Sequence, residues 1–470
     1  MSKLLNALQK QQTVIKTENG AKTFSSSMNA CVDLFFMIGA SRNRSDRDII
    51  SMFIRAYNEN KELALKILAY SRDLRGGMGE RRFFRVILKH LAESNLDVVN
   101  LAYVPEIGRW DDLLELINTN QAPAVSMVIN RALALNNSLC AKWMPRQGKI
   151  ANYLRSKVHH LYPTPKDWRK RLVELTKVVE TQMCNREWAG IEYSHVPSMA
   201  NMKYNNAFLR HDEVRRREFL AKAEKGEVKI NASVAFPSDI LKKYMPGGRF
   251  PYRISIDANA EAMWKQLPDY LIKKDMNILP VCDTSGSMDG DPMIVSVSLG
   301  LYISERNEGL FKNAYITFSN EPKLVYTKGD LYQRITQMPR IHPANTNLEA
   351  TFKLILNTAV KNKLKSKELP THILIISDME FDQACRKPNA TLYKSISKLY
   401  KDAGYKMPNI IFWNVNSRQD NVPVRFNQDG VGLISGKSPA VMKAVLSGDI
   451  NPVDIMLRAV DTDKYRKIIK

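Results

Sequence analysis

The sequence lacks several features that would assign it to a well-known class. None of its apolar stretches reaches the ~20 residues that a membrane-spanning helix needs, and the longest, around Cys31–Ala40, contains Asp33. Met1–Lys22 shows no continuous apolar run or good cleavage site, so we expect no signal peptide. The five cysteines are scattered and form no CxxC pair. These absences favour a reducing compartment, the cytoplasm, without a disulfide framework or a zinc site.

Acidic residues are scarce relative to basic ones. The 470 residues include 70 Lys and Arg but 48 Asp and Glu, a formal net charge of +22, and 44% are hydrophobic, which is typical of a folded protein. Residues 1–250 hold 40 basic and 25 acidic side chains, a net +15, whereas residues 251–470 hold 30 and 23, a net +7. The excess favours a polyanionic partner, RNA or DNA, over the alternative of an ordinary solvated surface.

The two parts of the chain differ in apolar periodicity. In the first part apolar residues recur at helical spacing, as in Leu63, Ile67 and Tyr70, between short joints with glycine or proline. This pattern predicts a helical-repeat array. In the second part short apolar runs alternate with helical stretches, which predicts a doubly wound parallel sheet. The predicted strands are Asn277–Cys282, Ala314–Phe318, His372–Ser377 and Asn409–Trp413.

One motif in the second part carries specific chemistry. Asp283, Ser285 and Ser287 form a D-x-S-x-S pattern directly after the first predicted strand, and Gly286 allows the loop to fold back. Thr346 precedes a predicted helix, and Asp378 follows the His372–Ser377 strand. Strand-end loops at one sheet edge offer only oxygen ligands, which suit Mg²⁺ or another hard divalent cation such as Mn²⁺ or Ca²⁺. A serine-rich capping turn is the alternative interpretation.

This arrangement resembles the von Willebrand factor A (vWA) domain and its metal-ion-dependent adhesion site. Asp283, Ser285, Ser287, Thr346 and Asp378 match the family pattern position by position. The resemblance implies a Rossmann-like domain in which the metal keeps one coordination position open for an acidic group of a partner. Asp283 and Asp378 could also be a pair for metal-assisted hydrolysis. A vWA-type site has no general base beside the metal, and HExxH, Gly-x-Ser-x-Gly and P-loop lysine motifs are absent, so we expect no enzyme.

The first part resembles the TROVE module of Ro-like proteins. The segment Ser71–Arg81 is similar to their R-D-x-R-G-G-K-G-E-R motif, with Met78 in place of the lysine, and Val104–Leu114 is similar to P-x-x-G-R-W-D-D-L-L. Ala141–Arg146 resembles A-K-W-L-P. Together with the vWA pattern, these segments indicate an uncharacterised, domain-of-unknown-function branch of Ro-like proteins. We expect an N-terminal extension (residues 1–24), a TROVE-like helical domain (25–272) and a vWA domain (273–470).

The resemblance to Ro proteins implies a ring of HEAT-like helical repeats that the vWA domain closes. Ro proteins bind non-coding RNA on a basic outer surface and single-stranded RNA ends in the central hole. The implied contacts are phosphate contacts, with Trp143 and Tyr204 available to stack on unpaired bases. The candidate residues are Arg72, Arg75, Arg81, Arg82, Lys142, Arg146, Lys203 and Arg210.

Two functions therefore follow from the sequence. The first is a Ro-like RNA-binding protein, a ribonucleoprotein component whose helical ring is closed by a Mg²⁺-binding vWA domain. The second is a metal-dependent protein-interaction or structural assembly module without an RNA ligand, in which a partner's acidic group completes the metal site. For each basic residue the alternative role is a solvated helix face or a structural ion pair.

Overall fold

The computed structural model describes residues 12–96, 99–249, 254–271, 276–318, 322–339, 347–382 and 392–469. Helices dominate the first part of the chain, and a six-stranded mixed sheet forms the centre of the last part, so the protein belongs to the α + α/β class. Among the described helices, none is both long and apolar enough to cross a membrane.

The first strands among the described residues form a two-stranded antiparallel hairpin, β1 (Val14–Lys16) and β2 (Lys22–Phe24). Several of the helices that follow begin at side chains that cap them: Asn29, Ser45 and Asn60 each accept a hydrogen bond from the backbone N–H three residues later. The described helices of this part are α1 Ala30–Ile38, α2 Asp46–Glu59, α3 Lys61–Arg72, α4 Arg81–Glu93, α5 Val104–Ile107, α6 Ala122–Ala134, α7 Ser138–Trp143, α8 Lys149–Ser156, α9 Pro165–Leu175, α10 Val179–Cys184, α11 Ser198–His211, α12 Glu213–Lys225, α13 Pro237–Leu241 and α14 Ala258–Lys265.

The second part alternates strands and helices. Its strands are short apolar runs, and β3, β6 and β8 are buried along their whole length. The described elements are β3 Ile278–Cys282, α15 Asp291–Arg306, β4 Ala314–Thr317, β5 Lys323–Tyr326, α16 Leu331–Thr336, α17 Leu348–Lys361, β6 His372–Ser377, α18 Leu392–Asp402, β7 Asn409–Asn414, β8 Val431–Ser435, α19 Met442–Leu446, α20 Pro452–Val460 and α21 Asp463–Arg466.

The sheet has the strand order β5-β4-β3-β6-β7-β8. Neighbouring strands of the sheet pair in parallel, except β4 and β5, which pair antiparallel. The expectation of a purely parallel sheet is therefore wrong at one edge. Only residues 318–322 separate β4 from β5, too few for the crossover that parallel strands require. The parallel pairing of β3 with β6 brings their carboxyl ends side by side, as the sequence predicted.

The two parts of the chain share one hydrophobic core. Helix α1 packs against β7 and β8, and α20 and α21 pack against α3. The Ser435 hydroxyl donates a hydrogen bond to the Phe35 carbonyl oxygen at 2.8 Å and accepts one from the Gly39 N–H at 3.1 Å. Residues on both sides of the expected boundary at 272/273 thus bury the same apolar surface.

The contact between Gly39 and Gly436 tests this shared core. A Cβ atom on Gly39 would lie 2.6 Å from the backbone nitrogen of Gly436, so Gly39→Ala forces the two backbones apart. We expect Gly39→Ala to lower the free energy of unfolding by about 1–3 kcal/mol in urea titrations. Gly190→Ala is the matched control, because its Cβ meets nothing closer than 3.8 Å and should change stability by less than about 0.5 kcal/mol. Equal effects of the two substitutions would contradict the close packing.

Candidate cation site and basic surface

The loop after β3 folds back on itself around a buried carboxylate. Asp283 is 0% exposed; its Oδ1 accepts the Ser285 N–H at 2.9 Å, and its Oδ2 accepts the Ser377 hydroxyl. The hydroxyl oxygens of Ser285 and Ser287 lie 3.0 Å apart. The predicted convergence of the three D-x-S-x-S side chains is therefore present.

The loop after β6 brings the second carboxylate to the same place. The N–H of Asp283 donates to the Ile376 carbonyl oxygen at 3.0 Å, so the two strand ends are joined by the sheet itself. Asp378 is 1% exposed. Its Oδ1 accepts the Glu380 N–H at 3.2 Å, and the Ser287 side chain is a further hydrogen-bond partner. Ser287 thus links the two loops, and four of the five predicted metal ligands lie together. The fifth, Thr346, lies outside the described residues.

Burial and mutual repulsion oppose the ionisation of these two carboxyl groups. Burial, with a contribution from the negative charge of Asp378, raises the pKa of Asp283 to about 7. Burial also raises the pKa of Asp378, although hydrogen bonds from Ser287 and Glu380 and the charge of Arg418 oppose that rise. The two carboxyl groups therefore carry more negative charge than Arg418 compensates, and a bound cation would relieve this excess.

The donor chemistry fits a hard divalent cation. Two carboxylates and two hydroxyls offer oxygen ligands only, which Mg²⁺, Mn²⁺ and Ca²⁺ prefer. Across the parts of the chain that the structure describes, no group of three or more His, Cys, Asp or Glu side chains is placed to hold a metal. Binding by the four described residues would therefore depend on the serine hydroxyls and on water as well as on Asp283 and Asp378.

One positive charge already touches the site. Arg418, in the loop after β7, directs Nη2 to Asp378 Oδ2 at 3.1 Å and to Glu18 Oε2 at 2.9 Å. Glu18 comes from the turn of the N-terminal hairpin, and its N–H donates to Glu380 Oε2 at 2.8 Å. Neither Arg418 nor Glu18 was predicted from the sequence as part of the site.

The N-terminal hairpin is fastened beside the site by several contacts. The Thr17 hydroxyl donates to the Phe381 carbonyl oxygen at 2.7 Å, and the Asn19 side chain donates to the Glu380 carbonyl oxygen at 2.7 Å. The backbones of Phe24 and Val422 exchange hydrogen bonds of 3.1 and 2.6 Å. Residues 12–24 of the expected N-terminal extension thus pack against the same loops that carry Asp378 and Arg418.

The predicted RNA contacts separate into internal and surface residues. Arg72 is 1% exposed, and its Nε donates to Asp112 Oδ2 at 2.7 Å. The prediction of Arg72 as an RNA contact is wrong, because this guanidinium neutralises a buried carboxylate within the fold. Asp112 also accepts a hydrogen bond from Arg85 at 2.7 Å, so the charged residues of these motifs build an internal ion-pair network.

The other predicted contacts lie on or near the surface. Lys142 is half-buried and pairs with Glu180 at 3.1 Å, and Arg82 pairs with Asp46. The guanidinium of Arg109 covers the Trp143 ring at 4.0 Å. The remaining five predicted RNA contacts are exposed and form no ion pair among the described residues. They are Arg75, Arg81, Arg146, Lys203 and Arg210.

A denser group of basic residues lies in the segment 146–171, of which only Arg146 was predicted to contact RNA. Residues 146–171 contain eight Lys and Arg but one acidic residue, Asp167. On α9 the side chains of Lys166, Arg169 and Lys170 are exposed and form no ion pair in the described part of the chain. In the sequence, the local excess of Lys and Arg over acidic residues is the signal that predicts this basic surface. The candidate RNA contacts were instead chosen from the motifs that resemble Ro-like proteins.

Comparisons with known proteins extend across both parts of the chain. The profile of a domain of unknown function, DUF2828, matches residues 17–120 and 114–274, and that of another, DUF7788, matches residues 277–466. The chain is 28% identical to the uncharacterized protein L728 of Acanthamoeba polyphaga mimivirus, over 95% of this chain and 87% of that protein. The change between the two profiles lies close to the expected boundary at 272/273.

The repulsion at Asp283 predicts a pH-dependent stability difference. Because the pKa of Asp283 is raised in the folded protein, its ionisation costs stability progressively as the pH rises from about 4 to about 7. We therefore expect Asp283→Asn to raise the melting temperature of the metal-free protein at about pH 7.5, with a gain that shrinks towards about pH 5. Thermal melts of both proteins in EDTA measure this. A gain independent of pH, or a loss at about pH 7.5, would contradict the electrostatic interpretation.

Proposed function

We propose an RNA-binding role of the Ro type for this protein. The chain belongs to the family defined by the domain of unknown function DUF2828. In this proposal, HEAT-like helices form a ring that a vWA-like C-terminal part closes, and the helical part binds the phosphates of non-coding or single-stranded RNA. The observation that supports it is a set of exposed basic side chains on α9, because Lys166, Arg169 and Lys170 form no ion pair among the described residues.

The distribution of charge favours an extended polyanion over a small anion. In chain order, exposed basic residues without an ion pair among the described residues recur from Arg75 and Arg81 through α9 to Lys203 and Arg210. A nucleic acid backbone offers many phosphates to such residues, and its binding releases counterions from each neutralised phosphate. Lys203 lies 5.1 Å from the Tyr204 ring centroid, which places an aromatic group beside a cation, as in surfaces that bind single strands.

Three substitutions on α9 test RNA binding. We expect Lys166→Gln, Arg169→Gln and Lys170→Gln together to weaken binding of a labelled single-stranded RNA by about tenfold or more at ~0.1 M salt. They should also reduce the slope of log K against log salt by about 2, since each lost phosphate contact removes ~0.7. Fluorescence anisotropy across a salt series measures both quantities.

The matched control removes the same charge from the other part of the chain. Lys361, Lys363 and Lys367 are exposed lysines of the second part, and their replacement by glutamine should leave RNA affinity nearly unchanged. Equal losses in the two triple variants would show a nonspecific effect of net charge. Absence of RNA binding by the unaltered protein at low salt would reject the proposal.

A second function is supported by the cluster of Asp283, Ser285, Ser287 and Asp378. We propose that this cluster holds Mg²⁺ or a related cation and that an acidic group of a partner completes its coordination. The bound cation would supply positive charge between the two carboxylates. The serine hydroxyls would orient towards it, and the buried strand ends would exclude water from one side. This function needs no RNA and is compatible with it.

Cation binding should appear as a gain in stability. We expect millimolar Mg²⁺ to raise the melting temperature of the protein because it neutralises two buried carboxylates, and EDTA to reverse the gain. Asp283→Asn should abolish the Mg²⁺ response. Asp289→Asn is the control, because Asp289 is an exposed acidic residue near the site that pairs with Arg249 at 2.8 Å. Loss of the response in both variants, or in neither, would argue against the site.

A further inference from the structure

We propose that Arg418 sets the cation affinity of this site by acting as an internal counter-cation of Asp378. Without metal, its guanidinium lies on Asp378; when a divalent cation binds, it must move away, and Glu18 receives it. This inference rests on the proposed cation site and assigns a role to two residues from opposite ends of the chain.

The contacts of Arg418 show why it competes with a cation. A single nitrogen, Nη2, reaches both Asp378 Oδ2 at 3.1 Å and Glu18 Oε2 at 2.9 Å. A divalent cation on Asp378 would repel a guanidinium at that distance, because like charges a few ångströms apart in a partly buried site interact strongly. The side chain of Arg418 is 33% exposed, so it has room to withdraw towards solvent without disturbing the core.

Glu18 is held where the displaced guanidinium can remain bound. Its N–H donates to Glu380 Oε2, while the other oxygen of Glu380 accepts the Asn421 side chain at 2.8 Å. Both the hairpin turn and the Arg418 loop are therefore tied to the same buried carboxylate. The Gln419 side chain also donates to Glu18 Oε1 at 3.3 Å. With a small side-chain movement, Arg418 can release Asp378 and keep its contact with Glu18.

The first part of the chain holds the Arg418 loop from its other side. Arg44, which precedes α2, donates through Nε to the Ser417 carbonyl oxygen and through Nη2 to the Ser417 hydroxyl, each at 2.9 Å. It also pairs with Asp420. Because residues on both sides of Arg418 are fixed in this way, the loop backbone stays in place and only the Arg418 side chain needs to move.

Calorimetric titration of the full-length protein with Mn²⁺ and with Mg²⁺, after removal of bound metal by EDTA, tests the role of Arg418. We expect Arg418→Gln to bind the cation about tenfold more tightly than the unaltered protein, since one competing charge is removed. Glu18→Gln should bind it about threefold more weakly, because the displaced guanidinium loses its acceptor and the site loses negative charge. In the double variant the Glu18→Gln effect should shrink.

Arg55→Gln is the matched control. Arg55 contacts Asp420 of the same loop at 3.3 Å and is 54% exposed, so its loss changes the net charge equally without vacating Asp378. Cation affinity in this variant should stay within about twofold of the unaltered protein. An equal tightening in Arg55→Gln and Arg418→Gln would overturn the proposal, because the effect would then come from net charge.

The outcomes separate this proposal from that of the site itself. Cation binding by the unaltered protein with no tightening in Arg418→Gln would overturn the role of Arg418 and leave the site standing. Absence of binding in both proteins at millimolar metal would overturn both. A second readout is stability: without metal, Arg418→Gln should melt below the unaltered protein because Asp378 loses its counter-charge, and excess Mn²⁺ should restore it. A lower melting temperature that Mn²⁺ leaves unchanged would also overturn the proposal.

Discussion

The burial of two carboxylates at the ends of adjacent parallel strands is the constraint from which the C-terminal site follows. The pairing of β3 with β6 leaves Asp283 and Asp378 side by side, each about 1% exposed or less. Such groups are costly unless hydrogen bonds and positive charge compensate them. Ser377 and Ser285 supply hydrogen bonds to Asp283, and Arg418 supplies charge to Asp378. The N-terminal hairpin brings a further carboxylate, Glu18, which shares Arg418 with Asp378 and so limits this compensation.

The basic excess of the first part serves two different purposes. Inside the fold, three arginines neutralise Asp111 and Asp112. Arg72 pairs with Asp112, Arg109 pairs with Asp111, and Arg85 pairs with both. Planar guanidinium groups suit such directed ion pairs. On α9, Lys166, Arg169 and Lys170 have no such partners among the described residues and are exposed. Net charge alone therefore overstates what is available to a polyanion, and the distinction depends on burial.

Local features of the sequence were predictive where function depends on residues close in the chain. Asp283, Ser285 and Ser287 lie on one loop after an apolar strand. Short apolar runs located β3, β4, β6 and β7, and the pairing of β3 with β6 places Asp378 beside that loop. The antiparallel β5 was missed because it has only four residues, three of them exposed, and β8 was missed because Gly432 interrupts its apolar run. Glu18 and Arg418 were missed because they meet only through tertiary packing. Arg72 was misassigned because the same guanidinium that binds phosphate also suits a buried ion pair, and sequence does not report burial.

The packing of α1 against β8 has a consequence for how the chain reaches its native state. The bond between the Ser435 hydroxyl and the Phe35 carbonyl oxygen spans 400 positions, and seven of the nine residues of α1 are buried in the finished protein. During synthesis this apolar helix emerges early but has no sheet to cover it until the last strand has left the ribosome. Contacts of such sequence separation form slowly, and exposed apolar segments associate with one another. Helix α1 therefore reaches its final burial only after β8 has been synthesised, and completion of the core is a late event that requires the C-terminal strands.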